Sequence, residues 1–239
     1  MRVDVRILSL GLVAFAACQG DAGGDAIPSH VNEALRSCGE SRAERMESIA
    51  DAVLHLNELP ASADVNCFVA SWPRPLRLVA TSAVTSAQPA DGPTNPRVFA
   101  LYDGLALSVV PTGVGSTLVE FGEWVSDTRT RKGELELPML RPIADRAPYD
   151  HVLYEGGGTR CGLCHGAEMP DPDIEGAFQS IAFRPVPEYD VELALLEQEH
   201  DTCIETEDES ERCAMFHALF DFGPVEATSF ADDVRFFGR

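Results

Sequence analysis

Between Leu76 and Leu140 apolar side chains recur at every second residue: Leu76, Leu78 and Ala80, then Val98, Ala100 and Tyr102, then Leu105, Leu107 and Val109. Successive side chains of an extended chain point to opposite faces, so this period commits the stretch to strands with one buried face. Asp103-Gly104 separates the second and third runs and is the chemistry of a tight two-residue hairpin turn. Thr117 to Val125 and Gly133 to Leu140 read as two further strands joined by a polar turn. Ala87 to Pro96, with three prolines and a glycine, reads as a surface loop.

Helical spacing brackets this sheet. Ser41-Arg42-Ala43-Glu44 matches a capping box, and Met46, Ile49, Ala50, Val53 and Leu54 follow on one face until Pro60 ends the run. After Pro142 the alternation stops. A turn of helix is expected before Cys161, another helix from Pro187 to His200 and a third from about Glu209 to Phe220. The expected class is α+β: a helix plus antiparallel sheet module over residues 28–141, followed by a mainly helical module over residues 142–239.

The first residues point to export. Arg2 and Arg6 form a small basic region, and Ile7 to Ala17 is an uncharged apolar run too short to span a membrane comfortably. It ends in Phe15-Ala16-Ala17-Cys18, which resembles the lipobox of bacterial lipoproteins, although Phe15 stands where Leu or Val is usual. The resemblance implies a signal peptide over residues 1–17, lipidation of Cys18 and a tether over residues 18–27 that is small and polar. Gln19 is not the Asp of an inner-membrane retention signal, so the outer membrane is the expected address. Ordinary cleavage after Ala17, releasing a periplasmic protein, is the alternative.

One segment carries specific chemistry: Cys161-Gly162-Leu163-Cys164-His165. Two thiols a helical turn apart can each add to a vinyl group of one porphyrin, while the adjoining histidine reaches the iron from the same side. The segment resembles the attachment site of c-type cytochromes. The resemblance implies one covalent haem c on Cys161 and Cys164, with His165 as axial ligand. Such proteins generally place a methionine on the far side of the ring. Met169 lies too close in sequence to His165 to reach around the haem edge. Met215, near the Cys203 to Cys213 segment, is the first choice for that position, ahead of His200 and His217. Its helical spacing with Leu219 equally suits a core residue. A disulfide, a redox dithiol or a metal site remains open for the two thiols. His151 is close enough in sequence to line a haem pocket, and Gly156 to Gly158 would free the backbone for a close approach to haem.

Seven cysteines then divide without remainder: Cys18 to lipid, Cys161 and Cys164 to haem, and the pairs Cys38 with Cys67 and Cys203 with Cys213 to disulfides. The second pair would stabilise the fold by roughly 2–3 kcal/mol in the chain-entropy account. A net charge of −21 excludes ordinary nucleic-acid binding and suits a basic redox partner. Lys132 is the sole lysine beside seventeen arginines, a bias read as a property of the coding sequence. The expected function is single-electron transfer or redox sensing by an envelope-anchored monohaem protein. The alternative is a cofactor-free, disulfide-stabilised lipoprotein with a binding or structural role.

Overall fold

The computed structural model describes residues 33–238. The signal, lipidation and tether assignments, Cys18 included, lie outside the described residues. The fold is mixed α/β around one large mixed sheet. The first helices are α1 (Glu33–Glu40), α2 (Ile49–Glu58) and α3 (Val65–Ala70). Five strands follow: β1 (Leu76–Thr81), β2 (Arg97–Leu101), β3 (Leu105–Val109), β4 (Leu118–Ser126) and β5 (Arg129–Glu136). They form an antiparallel meander, and Asp103-Gly104 turns β2 into β3, with Tyr102 N–H donating to the Leu105 carbonyl at 2.8 Å. Gly104 is required there because a Cβ would stand 2.3 Å from the Glu47 carbonyl oxygen.

The separate, mainly helical module expected after residue 142 is not what the chain builds. Helices α4 (Ala147–Val152), α5 (Gly162–His165), α6 (Leu193–Thr206) and α7 (Glu211–Phe220) are present, but short strands run between them. Of these, β6 (Met169–Pro170) and β7 (Phe178–Ile181) extend the sheet beyond β5. At the other end β9 (Asp190–Val191) and β10 (Val225–Ala227) pair with β1, β10 in parallel. A separate two-stranded sheet joins β8 (Phe183–Arg184) to β11 (Arg235–Phe236). The helix expected from Ser41 begins instead at Ile49, where Ser48 and Asp51 form the capping box.

Alternation along the strands divides the sheet into two faces. Leu78, Val98, Ala100, Leu107, Val119 and Leu135 are buried on one face with Trp72, Phe68, Met215 and Phe216 from the helices. Cys38–Cys67 fastens α1 to α3, and Cys203–Cys213 fastens α6 to α7, the two pairings expected. On the opposite face stand Arg97, Phe99, Ser108, Glu120, Trp124, Thr130, Lys132 and Glu134, and they do not face open water.

Candidate functional site

The second face forms the floor of a cavity of about 480 Å³. Its cover comes from the C-terminal half: Val152 and the Cys161–His165 turn, Phe183 to Val186, Phe230 and Phe237. Aromatic rings supply much of the wall. Phe183 lies 5.5 Å from the His165 ring and 5.6 Å from Phe237, and Phe99 meets Phe230 edge-on at 5.4 Å. A mostly apolar hollow of this size with a few placed polar groups is the ordinary form of a small-molecule or cofactor site.

The sequence motif is part of this cavity wall. Cys161 opens the single turn of α5, and the Cys164 and His165 N–H groups both donate to the Cys161 carbonyl, at 3.1 and 2.9 Å. That turn brings Cys161, Cys164 and His165 to the same cavity. Both cysteines are free thiols, whereas the four other described cysteines are bonded in pairs. Burial pushes the Cys161 thiol up to about 11, with Lys132 acting in the other direction. His165 donates Nδ1–H to the Ile181 carbonyl at 2.7 Å, which fixes the ring, and Nε2 has no hydrogen bond among the described residues. Ligating histidines are characteristically oriented by a backbone carbonyl in this way. Burial, with Lys132 and Arg97 nearby, holds the imidazole neutral by lowering its pKa to about 3.

The loop before the motif is tied down by Glu168, whose carboxylate accepts from Thr159 N–H at 2.7 Å and from the Thr159 hydroxyl at 2.5 Å. Gly158, at φ +77°, passes so close to it that a Cβ would meet Glu168 Oε2 at 2.4 Å. A carboxylate therefore accounts for the glycine that was expected to admit a haem. His151 is not among the lining residues. It reaches the cavity through Glu134, whose Oε1 lies 2.9 Å from His151 Nδ1 and accepts from Arg160 at 3.2 Å.

Met215 belongs elsewhere. It is buried in the main core on α7, and neither it, His200 nor His217 lines the cavity. The helical spacing with Leu219 that allowed a core role for Met215 is the reading that fits its position. Met169 sits exposed on β6 and also does not line the cavity.

Lys132 is the residue that sequence reasoning passed over. It projects from β5 into the cavity, enclosed by protein but with surface facing the hollow. Arg97 is held by Ser108 at 2.8 Å and by Glu120, and Arg160 is held by Glu134. Lys132 has no hydrogen bond or ion pair among the described residues, and burial lowers its pKa to about 8. The available signal was its rarity: Lys132 is the single lysine in a chain that otherwise uses arginine.

Two free thiols and an oriented imidazole on one turn, at the wall of an aromatic hollow, are the donor set that a covalent haem would use. No family model matches the chain, and no match to it is found among curated proteins or among solved structures. Among the described residues no helix is long and apolar enough to cross a membrane.

Proposed function

We propose that the chain is an exported protein carrying one haem c, bound through Cys161 and Cys164 with His165 on the iron, in a pocket on a β-sheet rather than in a helical wrapper. The observation that carries this reading is the His165 to Ile181 hydrogen bond, which fixes the ring of a residue that lines a cavity together with two free thiols. Haem held there would supply one-electron chemistry and, where a coordination position is open, a site for small ligands.

The cavity argues for such an open position. Neither methionine nor a second histidine is among its lining residues, and Lys132 is the base best placed to act on a ligand inside it. Redox or small-ligand sensing fits that arrangement better than electron transfer alone, with a basic protein as the partner suited to the acidic surface. Cys18 would hold the protein to the outer membrane through lipid, and without lipidation it would be periplasmic.

The test is the reduced visible spectrum before and after carbon monoxide. A Soret band that shifts promptly with carbon monoxide, and is weakened or displaced in His165→Ala, is the expected result. A band indifferent to carbon monoxide would replace the open-site reading with electron transfer. A colourless protein would leave the cofactor-free lipoprotein.

A further inference from the structure

We infer that His200, His217 and Asp221 form a second site, unrelated to the cavity, for a divalent transition-metal ion at the α6–α7 hairpin. The inference does not depend on the haem reading. The three residues each offer one ligand atom, and these atoms lie within 4.8 Å of one another. His200 Nε2 is 2.8 Å from Asp221 Oδ1, and His217 Nδ1 is 2.7 Å from Asp221 Oδ2. The two rings stand 5.3 Å apart and nearly perpendicular, at 77°. An ion at about 2.0–2.2 Å from each donor needs neighbouring donors only slightly further apart than this, so a shift of about half an ångström would admit it.

Both helices contribute, and their covalent link sets the separation. His217 and Asp221 are four residues apart, one turn on α7 and its end, and so share a face. His200 comes from α6, three residues before Cys203, whose disulfide to Cys213 fastens the helices together. Asp221 is buried and lies within hydrogen-bond distance of both rings, so its carboxylate is already fixed between them.

Metal binding requires the ring nitrogen facing Asp221 to be free of its proton, with the other ring nitrogen carrying the N–H. For His200 the other nitrogen, Nδ1, lies 3.9 Å from Asp201 Oδ1, a carboxylate that can support it as ligating histidines commonly require. Two imidazoles and one carboxylate suit zinc, copper(II) or nickel rather than calcium or magnesium. The side chains of His200 and His217 keep 12% and 15% of their surface, enough for a solvent-exchangeable position. Arg74 contributes a nearby positive charge, so affinity in the micromolar range is expected rather than that of a closed structural site.

Zinc is the probe. Untagged full-length protein is stripped with a chelator, dialysed against zinc and assayed for bound metal and for thermal midpoint. One zinc per chain and a raised midpoint are expected. Binding should weaken at least tenfold in His200→Ala and in His217→Ala, and stay unchanged in His55→Ala. Asp221→Asn is avoided as the main test because that carboxylate is buried. Absence of zinc retention in a folded wild type, or equal retention in both variants, would overturn the inference and leave a hydrogen-bonded clamp between two helices.

Discussion

Arg131 and Lys132 are neighbours on β5, and because they point to opposite faces of the sheet they live under different rules. Arg131 is buried on the helical face, where Asp171 accepts from it at 2.8 and 3.1 Å and Glu123 forms a third contact. Lys132 is enclosed on the cavity face with no such partner among the described residues. On one face the buried Arg131 is matched by carboxylates. The other retains a desolvated amine, a buried thiol and an oriented imidazole at a cost in stability, as functional sites do.

The comparison breaks most readily at Arg131. Arg131→Met should destabilise the protein by roughly 3–5 kcal/mol, because it leaves the buried Asp171 carboxylate without its cationic partner; urea unfolding measures this, and a loss below about 1 kcal/mol would show that the pair is replaceable by packing. Leu107→Ala, on the same face, should cost about 2–5 kcal/mol through transfer and cavity terms.

Lys132→Met should act with the opposite sign. In haem-free protein at pH 7 the folded state must protonate a buried amine whose pKa is lowered from 10.5 to about 8. Between those values the unfolded chain binds more protons, so wild-type stability rises with pH across that window and the handicap is complete only below about 8. The variant should therefore be more stable than wild type at neutral pH, by at most about 3 kcal/mol, with the advantage fading towards pH 10.5. A destabilised variant would mean that Lys132 is structural.

Asp171 supplies the acid counterpart. Burial alone would raise its pKa, but hydrogen bonds from Arg131, Gln179 and the Asp173 and Ile174 N–H groups pull it down to about 2. Its folded pKa is depressed, so its contribution is present above the unfolded value near 4 and is lost as pH falls through about 2. Asp171→Asn should remove that part of the acid sensitivity. The smallest effect is expected at Ser48, whose hydroxyl accepts from Asp51 N–H at 3.0 Å: Ser48→Ala should cost about 1 kcal/mol, whereas Ser41→Ala, outside any helix start, should cost less.

The contrast between those two serines shows where the sequence was ambiguous. Ser41 to Glu44 and Ser48 to Asp51 both resemble capping boxes, and local propensity does not choose between them. Tertiary contacts do: Ala43 N–H is bound by the Ser71 carbonyl, Met46 is buried in the core, and Glu123 from β4 accepts from Ile49 N–H at 2.9 Å. The first four strands of the meander, its hairpin turn and both disulfides were legible because their signals are local or arithmetic, whereas the fifth, expected from Gly133 to Leu140, runs Arg129–Glu136 and takes in charged residues that read as a polar turn. Strands β6 to β11 were not, since two to four residues are too few to display a period and β10 pairs with β1 across most of the chain.

The candidate site was half legible for the same reason. Cys161, Cys164 and His165 announce themselves by spacing. Arg97, Glu120, Lys132 and Glu134 occupy the polar positions of alternating strands, and that pattern is indistinguishable from a solvent face until the segment covering it is located. Met215 was the converse error of position, a core residue whose apolar neighbours had already given the better account of it.

The most direct measurement is the intact mass of the protein exported from cells with active c-type cytochrome maturation, beside a Cys161→Ala, Cys164→Ala double variant. The account predicts a wild type heavier by one haem beyond any lipid, and a variant without that increment. A wild type at the mass of the polypeptide with any lipid, or lighter than that by the two hydrogens of a Cys161–Cys164 disulfide, would contradict it.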